Sequence, residues 1–299
     1  MPSITVVLST YNGAKHLAKQ LDSIFSQQGV DVVCYMRDDG SKDGTVGIAR
    51  EYSKTHNLII DEGVNIGHQR SFMQALRDAP KGDYYAFADQ DDMWFPEKLK
   101  CAVEMLQQWR EEGPLMYHSN RLSVDENLKP FRHQMKRVAR PLTRESALTQ
   151  EFAQGCTIVM NPAARELVCR YLPEKKYYHD YWCGMINYMF GTIIYDERPQ
   201  MYHISHGENS STEGHLMKSW TSRLKMFFTR NIVYNNPTKD LLKGYGDLLV
   251  ESDRKFLQNV EIYKNDIRAK LYLIFSPSFI RESLLGTLSL KIAVLLNKL

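Results

Sequence analysis

Short apolar runs alternate, over the first hundred residues, with segments whose apolar positions recur at helical spacing. Ile4-Thr5-Val6-Val7-Leu8-Ser9 is rich in β-branched residues and is broken by Thr10-Tyr11-Asn12-Gly13, which predicts a buried strand followed by a loop. Leu17, Leu21, Ile24 and Phe25 fall on one helical face that closes before Gly29, and Val32 to Met36 makes a second strand. That is one βαβ unit, which implies a parallel pair with a right-handed crossover. The alternation continues through a helix at Val46, Ile48, Ala49 and Tyr52, a strand at Leu58-Ile59-Ile60, a helix through Phe72, Met73, Ala75 and Leu76, and a strand at Tyr84 to Ala88. The fold class is therefore α/β, with a mostly parallel central sheet.

Polar residues gather where these strands end. The second strand runs into Arg37-Asp38-Asp39-Gly40-Ser41-Lys42-Asp43-Gly44-Thr45, Asn65-Ile66-Gly67-His68 opens the third helix, and the fourth strand delivers Asp89, Asp91 and Asp92. Ligands of open α/β sheets bind outside the carboxyl ends of strands. Carboxylates this close repel unless a positive charge neutralises them, and hard oxygen ligands favour Mg²⁺ or Mn²⁺ over Zn²⁺. A solvated turn or a helix cap would explain one such cluster alone; the earlier strand tips, also suited to a nucleotide, favour a site. Pro96 is placed in the first turn of the next helix, Glu97 to Leu106. The absence of a G-x-G-x-x-G after the first strand and of a G-x-x-x-x-G-K-S/T argues against dinucleotide-binding and P-loop folds.

Composition narrows the class. A chain of 299 residues holds one large domain and an appendage. Its net charge of +3, with no early basic block, argues against nucleic acid as a partner. The five cysteines (Cys34, Cys101, Cys156, Cys169 and Cys183) lack C-x-x-C spacing, as expected of reduced thiols in a cytosolic protein. The N-terminus enters a strand without a basic stretch, so no secretory signal is expected, and no window offers the roughly 20 apolar residues that span a bilayer.

Four motifs, Thr10-Tyr11-Asn12-Gly13, Asp38-Asp39-Gly40-Ser41 with Asp43 and Thr45, Asn65-Ile66-Gly67, and Asp89-Gln90-Asp91-Asp92 with Trp94 to Leu99, resemble in order and spacing the family 2 glycosyltransferases. The resemblance implies a GT-A fold, an inverting mechanism, a nucleotide-sugar donor and a divalent cation, Mg²⁺ or Mn²⁺. It places nucleotide-sugar contacts on Thr10, Tyr11, Asn12 and Asp39, whose carboxylate would accept the imide N–H of uracil or thymine. Metal and ribose-phosphate contacts fall on Asp89 and Asp91, with Asp92 beside them. The residues by themselves leave Tyr11 open as a packed loop aromatic, and Asp38 and Asp43 as helix caps.

Beyond residue 114, Met116 to Ser119 reads as a strand and Lys129 to Arg140 as a basic solvated face or a loop over the site. Gln154 to Asn161 reads as a Gly-led strand before a helix from Ala163 to Val168. In members resembling rhamnosyltransferases, Gly155-Cys156-Thr157 would floor the acceptor and donor-sugar site, which adds Gly155 to the donor contacts. Cys156 is assigned to packing, because inverting transfer forms no covalent enzyme intermediate. His179-Asp180 at a helix start fits an N-cap, but the matching position carries the catalytic base in the family resembled, so Asp180 is the candidate base. Gly191 to Tyr195 reads as a strand. Tyr202 to Asn209 resembles a Tyr-x-x-His-x-x-Asn segment that closes over the diphosphate; His206 would be a metal ligand or phosphate donor, with His203 and His206 left open as loop residues.

From Leu216, Trp220, Leu224, Phe227 and Phe228 interleave with Lys218, Arg223, Lys225 and Arg230, and Ile267 to Phe275 and Ser283 to Leu299 are apolar stretches punctuated by Lys270, Lys291 and Lys298. Basic amphipathic helices read as interfacial on an anionic membrane, or as a packed cap or dimer contact. The expected layout is a GT-A catalytic domain over 1–215, divided into a nucleotide-sugar half (1–110) and an acceptor half (111–215), followed by a helical C-terminal region (216–299). The expected function is transfer of a sugar, rhamnose favoured, from dTDP-rhamnose or a UDP-sugar to a saccharide acceptor, lipid-linked or polymeric, in surface polysaccharide or O-antigen synthesis at the cytoplasmic face of the cell membrane. Two rivals are a silent glycan-binding or scaffold protein of the same fold and a sugar-phosphate nucleotidyltransferase. The latter needs a Gly-rich, Lys/Arg-bearing loop after the first strand, which Thr10-Tyr11-Asn12-Gly13 is not.

Overall fold

The continuous apolar runs are strands of one sheet: those at Ile4 to Leu8 and Tyr84 to Ala88 are inner and largely buried on both faces, whereas Leu58-Ile59-Ile60 is an edge strand with Ile59 exposed. In the computed structural model, which describes residues 1–109, 113–132, 134, 138–205 and 234–299, β1 (Ser3–Thr10) pairs in parallel with β2 (Asp31–Asp38) and β4 (Tyr84–Ala88), and β2 with β3 (Leu58–Glu62). Helices α1 (Leu17–Phe25), α2 (Thr45–Ser53) and α3 (His68–Asp78) make the crossovers. Ile4, Val6 and Leu8 of β1 share one core with Leu17, Leu21 and Ile24 of α1 and with Leu99, Val103 and Leu106 of α4 (Lys98–Gln108). Each such side chain contributes about 1.5–3 kcal/mol by leaving water.

The sheet then turns mixed. β5 (Met93–Trp94), β6 (Leu115–Val124), β7 (Val159–Met160) and β8 (Thr192–Ile204) complete the order β3-β2-β1-β4-β7-β6-β8-β5. β7 runs antiparallel to β4 and β6, β6 runs parallel to β8, and β5 is antiparallel to β8. Between them lie α5 (Pro162–Cys169), capped by Asn161 Oδ1 on the Ala164 N–H, and α6 (His179–Phe190).

Two local readings need correction. Gly155–Thr157 is a 3₁₀ turn, not the start of a strand, because the Thr157 N–H and Oγ1 both fold back onto the Gln154 carbonyl. Pro96 lies two residues before α4, outside its first turn, and its carbonyl accepts the Gln28 N–H.

The chain forms two compact units. The first comprises Met1–Ala139, Ala153–Arg170 and Tyr178–Glu213; the second comprises Arg140–Phe152, Tyr171–Tyr177 and Gly214–Leu299. The second unit contains α7 (Thr238–Tyr245), α8 (Glu251–Ile262), α9 (Ile267–Phe275) and α10 (Leu284–Leu295). Arg144 holds Asp253 of α8 through Nε and Nη2 (2.9 and 2.6 Å). Asp240 of α7 accepts from the Tyr171 and Tyr177 hydroxyls and the Glu174 N–H. Asp266 and Ser283 cap α9 and α10. All five cysteines are free. Among the described residues, no helix is long and apolar enough to cross a membrane; the basic-aromatic stretch from Leu216 to Arg230 lies outside them.

Candidate active site

The loop after β1 is moulded by the loop after β2. Asn12 takes a left-handed backbone (φ 48°), which Asn tolerates better than most residues. Its Oδ1 accepts the Lys42 N–H and its own N–H binds Ser41 Oγ, while the Gly13 N–H binds Thr45 Oγ1. Asp38 is buried and accepts from Thr10 Oγ1, Ser41 Oγ and the Gly40 and Ser41 N–H groups, so it builds the turn. Asp43 accepts from the Thr45 and Ala14 N–H groups at the head of α2. Buried Asp39 takes the equally buried Arg37 guanidinium (2.7 Å) and the Ile66 N–H on Oδ1, and the Gly67 N–H on Oδ2. Its Oδ2 keeps acceptor capacity for one more donor. Exposed Tyr11 is tied through its main chain to Gln90, whose Oε1 accepts the Tyr11 N–H (2.9 Å) and whose Nε2 donates to the Tyr11 carbonyl (3.3 Å).

Gln90 belongs to the acid loop after β4. Asp89 Oδ1 lies 3.9 Å from His68 Nε2. Burial opposes ionisation of Asp89, but His68, helped by His179 and His203, outweighs it and holds the carboxyl at about 2. His68 is affected reciprocally: burial disfavours its charge, and Asp89, then Asp180 and Asp91, overcome this and raise its pKa. Asp92 is 1% exposed; its Oδ1 hydrogen-bonds His203 Nδ1 at 2.8 Å and its Oδ2 has no hydrogen-bond partner among the described residues. Lys98, fully buried, sets its Nζ 3.9 Å from the Trp94 ring centre without a hydrogen-bond partner, and burial lowers its pKa to about 8.

Asp89, Asp92 and Cys156 each bring a ligand atom within 4.8 Å of the others. Burial pushes the Cys156 thiol well up. The carboxylate oxygens of this cluster, Asp92 Oδ2 among them, are hard donors that fit Mg²⁺ or Mn²⁺.

α6 carries Asp180 in its first turn. The N-cap is Tyr178, so Asp180 is not the cap its position suggested; its Oδ1 accepts the Tyr181 N–H (2.7 Å) and its Oδ2 faces the Gly155 N–H (3.4 Å). Burial first, then the Asp89 charge, raises its pKa, the direction required of a proton acceptor near neutrality. Neighbouring His179 is buried, stacks on Phe72 at 4.0 Å and leaves both ring nitrogens without a hydrogen-bond partner. A Cβ at Gly155 would stand 2.1 Å from His179 Nε2, so only glycine fits there.

Burial drops the His179 pKa to about 3, against about 6.5 in an unfolded chain. The unfolded state therefore takes up this proton first as pH falls, and stability that is full above pH 6.5 is lost progressively toward pH 3. Melting temperatures between pH 7 and pH 4 should fall more steeply for the wild type than for His179→Phe, by the equivalent of on the order of 3 kcal/mol at pH 4. Parallel curves would show that His179 does not carry the acid sensitivity.

Asp89, Asp91 and Asp180 thus act on one imidazole, and Thr10, Tyr11, Asn12, Asp39 and Gly155 lie in the same unit. His206 and Asn209 lie outside the described residues. His203 is a buried residue of β8, not a surface loop residue. Sequence reasoning missed His68, Gln90 and Lys98. His68 follows Gly67 (φ 90°) at a strand-to-helix junction like the other tips, and Lys98 stands in the buried stripe of α4 with Ala102 and Leu106. A polar residue at a tip and a lone cation in an apolar stripe were the available signals.

Residues 5–166 match the family model "Glycosyl transferase family 2". The dTDP-rhamnosyl transferase RfbG of Shigella flexneri is 35% identical over 105 residues, 33% of this chain and 36% of that protein, so the match spans about a third of the relative's length. S. aureus TarS 1-349 in complex with UDP superposes with a TM-score of 0.57 at 18% identity, covering 92% of this chain and 72% of that one. The mannosyltransferase PcManGT from Pyrobaculum calidifontis in complex with GDP-Man and Mn²⁺ gives 0.52 at 19% identity, covering 92% and 70%.

Proposed function

The chain belongs to glycosyl transferase family 2 and has the GT-A fold, and from that premise we propose that it is an inverting, metal-dependent transferase moving rhamnose from dTDP-rhamnose to a saccharide acceptor, with a UDP-sugar as the alternative donor. What carries the reading is Asp89 set 3.9 Å from His68, an imidazole whose pKa the charges of Asp180 and Asp91 also raise, beside the loops that hold Tyr11 and Asp39. Asp180 takes the proton of the acceptor hydroxyl as that oxygen attacks the anomeric carbon. Asp39 Oδ2 accepts the base N–H, Thr10, Tyr11 and Asn12 frame the nucleotide, and Gly155 floors the sugar site. Asp91 and Asp89 would hold the divalent cation, with His206 as a further contact, while Asp92 is hydrogen-bonded to His203. When bound, that cation neutralises the leaving diphosphate. The sugar is favoured by the likeness to RfbG. The acceptor is taken to be lipid-linked or polymeric, in surface polysaccharide or O-antigen synthesis at the cytoplasmic face of the membrane, and the layout to be a catalytic domain over 1–215 and a helical region over 216–299. A silent binding protein of this fold would not need both Asp91 and Asp180, and both are present.

The direct test is thermal protection by nucleotide diphospho-sugars, dTDP-rhamnose first, with and without Mn²⁺. Protection by a thymidine or uridine donor that grows with Mn²⁺ is expected; no protection by any donor would overturn the reading.

Asp39→Ala also takes one carboxylate from the buried Arg37 guanidinium, which keeps Ser71 Oγ, the Val64 carbonyl and, at 3.7 Å, Asp61, so it should lower stability as well as base affinity. Asp39→Asn keeps the volume and one acceptor oxygen. It should weaken binding of uridine or thymidine diphosphate by about 1–3 kcal/mol and leave the Mn²⁺ dependence unchanged, as read by calorimetry. Equal affinities would remove Asp39 from the base site.

A further inference from the structure

Helices α9 and α10 carry apolar side chains outward as well as inward. On α9, Ala269 and Leu273 are buried, whereas Ile267, Leu271 and Phe275, spaced i, i+4, i+8 along one side, are 65%, 45% and 77% exposed. α10 repeats the arrangement: Leu290, Ala293 and Val294 are buried, while Leu284, at 88%, Leu288 and Leu295 are exposed. The two helices pack on each other. Single exposed leucines are ordinary on a soluble surface, but stripes on adjoining helices mark an interaction site.

Charge selects the partner. Neither helix contains an Asp or Glu; their charges are Arg268, Lys270 and Lys291. Lys291 is engaged internally, donating to the Leu273 and Ser276 carbonyls at 2.8 and 2.9 Å, which leaves Arg268 and Lys270 beside the α9 stripe. A second copy meeting this face would bring like charges together, whereas an anionic bilayer offers hydrocarbon to the stripes and phosphate to the cations. At 9 and 12 residues the helices are too short to cross such a bilayer.

We propose that the outward stripes of α9 and α10, flanked by Arg268 and Lys270, form a docking surface for the headgroup layer of an anionic membrane. Every residue involved belongs to the second unit, so vesicle binding can be read apart from donor binding and transfer.

The experiment is co-sedimentation of the full chain with phosphatidylcholine vesicles, with and without phosphatidylglycerol. The wild type should pellet with the anionic vesicles and be released by salt. Leu271→Glu with Phe275→Glu, or Leu284→Glu alone, should weaken this at least about tenfold, and Arg268→Gln and Lys270→Gln roughly fivefold each on anionic vesicles only. Because Arg268, Leu271, Phe275 and Leu284 are exposed and Lys270 is half-buried, melting temperature and nucleotide binding should stay at wild-type values. A wild type that remains in the supernatant, or glutamate variants that pellet equally well, would overturn the proposal. So would a dimer that the glutamate substitutions dissociate while no form binds vesicles, since the occupant would then be a second copy.

Discussion

Asp180→Asn should lose sugar transfer by about 10²–10⁴-fold while binding the nucleotide diphosphate as tightly as the wild type. The substitution keeps the side-chain volume and the acceptor for the Tyr181 N–H, and Asp180 is not the cap of its helix, so α6 has little reason to fray. What disappears is a basic oxygen whose pKa burial and Asp89 have raised. The same elevation sets the sign of the pH dependence: transfer by the wild type should fall as pH drops through the Asp180 pKa, and the variant's residual rate should lack that acid limb. Single-turnover transfer from dTDP-rhamnose, with melting curves as the folding control, makes the comparison. A rate within a few-fold of wild type would take Asp180 out of the mechanism.

Asp91→Asn should fold normally and lose the metal-dependent part of its nucleotide diphosphate affinity, leaving only the weaker binding supplied by Thr10, Tyr11 and Asp39. Asp91 is only half-buried, so replacing it costs the fold little. The neighbouring acid behaves differently: Asp92 is buried against His203 and faces the field of buried Lys98, and Asp92→Asn should lower the melting temperature as well. Calorimetry with uridine or thymidine diphosphate, with and without Mn²⁺, separates the two acids. Unchanged metal-dependent affinity in Asp91→Asn would put the cation elsewhere.

The parallel half of the sheet was legible because its strands carry apolar runs bounded by turn residues; burial on both faces demands that pattern of the inner strands β1 and β4, and the edge strand β3 keeps it over only three residues. The tips were legible because Asp38-Asp39-Gly40-Ser41 and Asp89-Gln90-Asp91-Asp92 place polar residues where such runs stop. What escaped notice depends on remote partners. Gly155 resembles the first residue of a strand until His179 packs against it. The segments Arg140–Phe152 and Tyr171–Tyr177 join the helical unit through Arg144 on Asp253 and the tyrosine hydroxyls on Asp240, pairings between residues more than sixty positions apart. His68 reads as a helix opener, and only its place beside Asp89 makes it part of the site.

The Gln90 clasp on Tyr11 joins the loop that would frame the base to the loop that would hold the cation. Where a cation and a nucleoside bind loops fastened in this way, any free energy the two events share is shared reciprocally. Whatever factor a cation contributes to the affinity for a nucleoside, the nucleoside returns to the affinity for the cation, even when no diphosphate bridges them. Gln90→Ala removes both bonds of the clasp, so a cation affinity that responds to nucleoside in the wild type and not in the variant is the result expected if the clasp carries that link.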